Sequence, residues 1–370
     1  MNNQKKSVNS IQRIMKADLQ GIFMSSKPNI TTINRTWVTE SGFDFPSVDI
    51  AWNSWGTLND AHDNVILICH ALTGNSNAKD WFSGLFAEDG IIDLDKHFVL
   101  CINNPGSCYG STGPTSIFPF SGKPYQANFP KLTIRDIVRF QALLLNHLGI
   151  KNIELVIGGS MGGMIALEFA LMDQRISSLV LLAMGKSHSP WAIGISHAQR
   201  LAIYADKNWE NGFYESDFPP NRGLSAARAL AMITYRSARN YDLKFGRTIN
   251  SDKQEFEVES YLEYQGQKLT DRFDANSYIC LTQAMDSHDV SRDRHSFKET
   301  LAQVKQPSLV IGVDSDLLYP TFEQKELAEL IPNSFYKEIT SLHGHDAFLI
   351  EFEQINKLLN SFYKTLSQNQ

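Results

Sequence analysis

Four cysteines in 370 residues are too few and too scattered for a disulfide framework. Cys69 and Cys101 lie inside apolar runs and read as small core residues. Cys101 and Cys108 lack the C-x-x-C spacing of zinc or redox sites, and Cys280 stands alone. A reducing, cytoplasmic setting is therefore the expectation. Basic stretches are missing too. Lys plus Arg number 34 against 40 Asp plus Glu, a net charge of −6, which argues against a nucleic-acid partner. No apolar run is long enough for a membrane span, so no membrane partner is expected. Residues 1–30 are polar and lack the apolar segment of a secretory signal, and they read as a loosely ordered tail. They carry no acid before Asp18, which leaves organelle targeting as the lesser alternative. Internal repeats and low-complexity segments are absent.

What the chain has is enough apolar residue, 42% against 20% charged, to bury a full core. Short runs recur in the first half: Val48–Trp52, Val65–Cys69, Phe98–Ile102, Leu155–Ile157 and Leu179–Leu182. The last four are continuously apolar, as strands covered on both faces must be. Helical patterns separate them. One runs from Ile134 to Leu148, its apolar stripe broken by Gln141, with Gly149 as the stop. Strand–helix alternation predicts a mostly parallel sheet flanked by helices. From residue 185 to 298 the pattern turns helical and polar, and a strand returns at Ser308–Gly312. The reading is an α/β core, residues 31–184 and 299–370, with a helical lid inserted over 185–298. A separate helical domain would need a linker, and no Gly/Ser/Pro-rich one is visible.

The run Leu155–Ile157 ends in Gly158-Gly159-Ser160-Met161-Gly162-Gly163 and leads into Met164–Ala170. Strand, G-x-S-x-G, helix describes a nucleophile elbow. The turn strains the serine backbone, which works only between residues almost bare of side chains. The helix N-terminus then favours negative charge at the hydroxyl.

A serine nucleophile needs a base, and the base an orienting acid; in such scaffolds acid and base follow the serine in that order. The returning strand leads to Asp314 and Asp316, of which Asp316 is better placed. Near the end stand His343 and His345, both candidates for the base. The two could form an H-x-H metal site, but no third ligand cluster supports one. An oxyanion hole needs two backbone N–H groups: one from Met161, after the nucleophile, and one from the loop His70-Ala71-Leu72-Thr73-Gly74, which nominates Leu72.

Together, six segments resemble the homoserine O-acetyltransferase family, acyltransferases of the α/β-hydrolase fold. They are His70–Gly74, Gly110–Pro114, Gly158–Met164, Phe273–Tyr278 (FDANSY), Met285–Val290 (MDSHDV) and Gly344–Leu349. The resemblance covers roughly residues 37 to 362. FDANSY and MDSHDV lie in the helical insertion, where general hydrolases share no pattern.

The resemblance implies that Ser160 is acylated, His345 is general base and acid, and Asp316 orients it, with Leu72 and Met161 as oxyanion donors. It also implies that Arg228 holds the amino acid's carboxylate, Tyr235 lines the same pocket, and Asp346 receives the ammonium. A zwitterion suits one fixed cation and one fixed anion, and arginine's planar fork suits a carboxylate. The implied reaction is ping-pong acetyl transfer from acetyl-CoA, a co-substrate, to L-homoserine in methionine biosynthesis. No metal or bound cofactor is implied, and a homodimer through lid helices is. Pro105 and Ser107 depart from the family, where many members carry leucine and glycine, in a loop near the entrance that bears on donor choice. The alternatives are an O-succinyltransferase of homoserine or serine, a serine esterase, or a non-catalytic binding protein.

Overall fold

The computed structural model describes residues 27–368 apart from residue 253. Eight strands form one sheet: β1 (Asn29–Ile33), β2 (Val48–Trp55), β3 (Val65–Cys69), β4 (Phe98–Ile102), β5 (Ile153–Gly159), β6 (Leu179–Leu182), β7 (Ser308–Val313) and β8 (Ser334–Ile339). Their spatial order is β1-β2-β4-β3-β5-β6-β7-β8. β2 is antiparallel to β1 and β4, and the other neighbours pair in parallel. The tail expected over residues 1–30 lies outside the described residues as far as residue 26. By Asn29 the chain is already in β1, so ordered pairing begins two residues before the anticipated core boundary.

Alternate residues of the strands feed two cores, because successive side chains point to opposite faces. Leu67, Val156, Leu179 and Leu181 join one with α1 (Ile134–His147) and α2 (Met161–Met172). Ile66, Ile68, Leu155, Ile157 and Leu182 join the other with Ile355, Leu359 and Phe362 of the C-terminal helix (Phe352–Gln368). α1 starts on a capping box: Thr133 accepts from the Asp136 N–H at 3.1 Å while Asp136 accepts from the Thr133 N–H at 3.0 Å. Gln141, the break in its stripe, is buried and donates to Asn104 Oδ1 at 2.7 Å.

Between β6 and β7 lies the helical insertion: α3 (Pro190–Tyr204), α4 (Asn221–Tyr235), α5 (Ala238–Phe245), α6 (Glu257–Thr270) and α7 (Ala275–Asp286). A two-residue hairpin, Ile249–Asn250 with Glu255–Phe256, interrupts it. The FDANSY string is structural: Asp274 caps α7 by accepting from Ser277 N at 2.7 Å, and Tyr278 donates to Gln199 of α3 at 2.8 Å. In MDSHDV, Asp286 pairs with Arg200 of α3 at 2.6 Å. The return from the insertion is clamped by Glu168 on α2, which faces Arg294 at 2.7 Å and Arg135 at 3.4 Å. Glu168 is buried, so its charge is held by these two arginines together.

Candidate active site

Ser160 sits between β5 and α2 with φ 56° and ψ −127°. Such a backbone costs on the order of 1–3 kcal/mol and persists only where its surroundings over-determine it. Here they do. The Ser160 N–H donates to Leu182 O at 2.9 Å, and its carbonyl accepts from Gly163 and Met164 at 2.9 and 3.1 Å. A side chain at Gly158 would meet Gly162 O at 2.2 Å, and one at Gly162 would meet Cys69 O at 2.0 Å. Bare α-carbons thus let α2 begin directly against the end of β3 and the loop that follows it. That loop carries Leu72, which is buried, and it begins beside Gly162 in the first turn of α2, where a β-carbon would lie 3.2 Å from the His70 carbonyl carbon.

Asp316 follows β7 in a tight turn. Its Oδ1 accepts from the backbone N–H groups of Leu318 at 2.8 Å and Tyr319 at 2.9 Å. Its Oδ2 lies 2.7 Å from His345 Nδ1. A carboxylate only accepts, so Nδ1 carries the proton and Nε2 of the neutral ring is left basic. Both side chains are buried. His345 stands in the short helical turn Gly344–Leu349, whose Phe348 lies so close to Gly159 that a β-carbon there would be 2.5 Å from the ring. The histidine's turn therefore abuts the residue just before Ser160. The rings of Tyr235 and Tyr319 flank His345 at 5.5 and 5.3 Å between centroids. Burial disfavours the imidazolium, but the charge and hydrogen bond of Asp316, with the charge of Asp346, outweigh it and raise the His345 pKa.

The competing candidates go elsewhere. Asp314 accepts from Ser341 N at 3.0 Å. His343 Nδ1 faces the Arg236 guanidinium at 2.9 Å. Arginine cannot accept, so that nitrogen is an acceptor and His343 and His345 do not form a chelating pair. Among the described residues no three His, Cys, Asp or Glu side chains are grouped to hold a metal.

The expected amino-acid pocket gathers beside His345, with one residue that sequence reasoning passed over. Arg228 lies over the Tyr235 ring, its guanidinium carbon 5.6 Å from the centroid. Asp346 already has a partner, Arg236 Nε at 3.1 Å from Oδ2. Arg236, next to Tyr235 in the chain, thus bridges His343 and Asp346. A carboxylate has about four acceptor sites, so one ion pair leaves Asp346 capacity for a second cation.

Arg272 was missed as well. It is exposed in sequence neighbourhood and fold alike, yet it donates to Thr73 O at 2.8 Å and to the Tyr109 hydroxyl. One guanidinium thereby ties the α6–α7 turn to the Leu72 loop and to the 103–113 loop. In that second loop Ser107 is fully buried, and Tyr109 packs on Phe273.

The sheet order, the strained serine and the Asp316–His345 pair define an enzyme-like site of the α/β-hydrolase class, and residues 64–352 match the family described as alpha/beta hydrolase fold. The chain is 48% identical over 343 residues to the homoserine O-acetyltransferase of Nostoc punctiforme, covering 91% of this chain and 96% of that one. It belongs to the homoserine O-acetyltransferase family. A solved homoserine O-acetyltransferase from Bacillus anthracis is similar at TM-score 0.83 and 25% identity, over 91% of this chain and 98% of that one. Esterase E22 is equally similar, at TM-score 0.83 and 25% identity, over 91% and 99%. Among the described residues no helix is long and apolar enough to cross a membrane.

Proposed function

We infer that this chain is a homoserine O-acetyltransferase, moving an acetyl group from acetyl-CoA to the side-chain hydroxyl of L-homoserine, with Ser160 as the carrier. The observation that carries the mechanism is the 2.7 Å bond from His345 Nδ1 to Asp316 in a turn packed against the Ser160 elbow. His345 Nε2 takes the Ser160 proton as Oγ attacks the thioester carbon. The N–H groups of Leu72 and Met161 receive the charge that develops on the acyl oxygen. The C–S bond breaks, the imidazolium protonates the CoA sulfur, and acetyl-Ser160 remains. In the second half His345 takes the homoserine hydroxyl proton, the new ester forms, and Ser160 recovers its hydrogen. Arg228 holds the amino acid's carboxylate, Asp346 its ammonium, and Tyr235 walls the pocket between them.

One observation favours a second reading. The likeness to esterase E22 matches that to the solved acetyltransferase, and the same triad with water as acceptor is an esterase. Product masses from purified protein supplied with acetyl-CoA or succinyl-CoA, each with homoserine, serine or water alone, separate these readings. O-acetylhomoserine as the main product is the expected result. Hydrolysis unaffected by homoserine would replace the transferase with an esterase, and a succinyl product would change the donor.

A homodimer through lid helices fits the apolar residues that α3, α4 and α6 expose, among them Leu201, Leu230, Ile233 and Tyr264. Sedimentation at about 80 kDa would support it against the 41.7 kDa chain. Four unpaired cysteines fit a reducing cytoplasm.

A further inference from the structure

His70 precedes the candidate oxyanion donor by two residues and is fully buried. Its ring is engaged at both nitrogens. The backbone N–H of Asn104 donates to Nε2 at 3.0 Å, so Nε2 is unprotonated and the neutral ring must carry its proton on Nδ1. Nδ1 lies 2.9 Å from Ala71 O, which therefore accepts that proton's hydrogen bond. The same carbonyl accepts from Gly74 N at 2.9 Å. Gly74 leaves the space this requires: a β-carbon there would sit 3.3 Å from Nδ1 and 3.2 Å from Ala71 O.

Ala71 O and Leu72 N are the two ends of one planar peptide. Anything that fixes the carbonyl fixes the direction of the N–H on the far side. Two hydrogen bonds into the carbonyl also polarise that N–H and strengthen it as a donor. Behind His70 the chain of contacts continues. Asn104 is bonded through its side chain to Gln141 at 2.7 Å, the polar residue that interrupts the apolar stripe of α1. Gln141 thus anchors, from the helical layer, the loop whose N–H selects the His70 tautomer. Burial pushes the His70 pKa down to about 4, so the ring stays neutral through the working range. With both nitrogens committed, His70 has no part in proton transfer.

We propose that His70 is a positioning residue for acyl transfer, holding the Ala71–Leu72 peptide by its carbonyl so that the Leu72 N–H meets the acyl oxygen. The proposal rests on reading Leu72 as an oxyanion donor. Two substitutions divide the ring's functions. His70→Asn places an amide N–H near Nδ1 and keeps the donor to Ala71 O. His70→Gln reaches toward Nε2 and keeps the acceptor for Asn104 while losing that donor. Acetyl-Ser160 formation from acetyl-CoA is followed by rapid quench and mass, alongside thermal midpoints and the steady-state KM.

The expected result is that His70→Gln slows acylation about 10- to 100-fold, short of the 10²–10³ for outright loss of an oxyanion donor. KM for acetyl-CoA should stay within about threefold, and His70→Asn should recover much of the rate at a similar or lower midpoint. Gln141→Met, away from the loop, should slow acylation a few-fold and carries the test should His70→Gln fail to fold. Acylation at the wild-type rate in His70→Gln and Gln141→Met overturns the proposal. So do rates that follow the thermal midpoints alone. If the wild-type protein forms no acetyl-Ser160 at all, the acyl-serine reading itself falls, an outcome distinct from the others.

Discussion

Asp316 and His345 each have a like residue two positions earlier, Asp314 and His343, yet the partners of the two sets differ. Asp316 has one oxygen bound by two backbone N–H groups and the other by an imidazole. Asp314 and His343 line a cleft of about 550 Å³ with Arg239, Ser341 and Glu351. There Asp314 ties down a backbone N–H and His343 faces a guanidinium. Residue type and approximate position are the same in both pairs. What differs is the partner that each imidazole meets, a carboxylate for His345 and a guanidinium for His343.

Four measurements bear on the contrast. The largest effect belongs to Asp316 and His345. His345→Ala and Asp316→Asn should each lower kcat/KM about 10³- to 10⁴-fold or more, with Ser160→Ala at least as severe. Asp314→Asn should cost less than about tenfold. If it proves as damaging as Asp316→Asn, the acid is misassigned.

The next effect lies in the second half-reaction. Arg228→Ala should weaken homoserine binding about tenfold to a few-hundredfold, the loss of a charge-assisted contact of about 1.5–3 kcal/mol. Single-turnover formation of acetyl-enzyme should be nearly untouched. His343→Ala releases one side of Arg236, the partner of Asp346, and should raise KM for homoserine a few-fold without changing acylation. A loss of acylation in either variant would move that residue to the donor side or to the lid.

A smaller effect appears in the pH profile. The base works only as neutral imidazole, and its pKa is raised, so the acidic limb of kcat/KM should lie above the usual value of about 6.5. In the residual activity of Asp316→Asn that limb should move down, and in Asp346→Asn it should move down by less. Asp314→Asn should leave it in place. A limb that ignores Asp316 would separate the titration from this pair.

At neutral pH the stability effect is the smallest, and it grows only on acidification. His70 and His188 are held neutral by burial, with pKa values near 4 and 3. Below about pH 6.5 the unfolded chain binds protons that these rings refuse, so each withdraws up to about 1.4 kcal/mol per pH unit, down to about pH 4 and pH 3 respectively. His345 has the opposite sign: its contribution is complete below about pH 6.5 and is lost as pH rises through its raised pKa. Urea midpoints from pH 7 to pH 4 should fall, and His70→Asn should flatten the slope. An unchanged slope would mean that His70 is not buried neutral in solution.

The strands marked most clearly in the sequence are those covered on both faces, β3, β4, β5 and β6, because burial leaves them apolar apart from Glu154 near the start of β5; β2 and β7 were read as well. β1 and β8 escaped the reading. They are edge strands with half-exposed, polar-alternating residues, and a two-residue period that short resembles a loop. The elbow was legible because its glycines answer a local steric demand, collisions within about 2 Å that any side chain would cause. Arg236 and Arg272 were in view but unassigned, since their partners lie about a hundred or more residues away and nothing local announces them.

By itself the sequence determined the strained serine turn, the parallel core and the insertion, all of which follow from short-range sterics and from burial. Tertiary structure alone gave His345 a carboxylate partner and His343 a guanidinium, gave Asp346 a cation of its own, and set His70 behind the Leu72 peptide. Those outcomes depend on hydrogen-bond direction across distant segments. A shift of two residues leaves composition and pattern unchanged but turns a side chain toward a different partner.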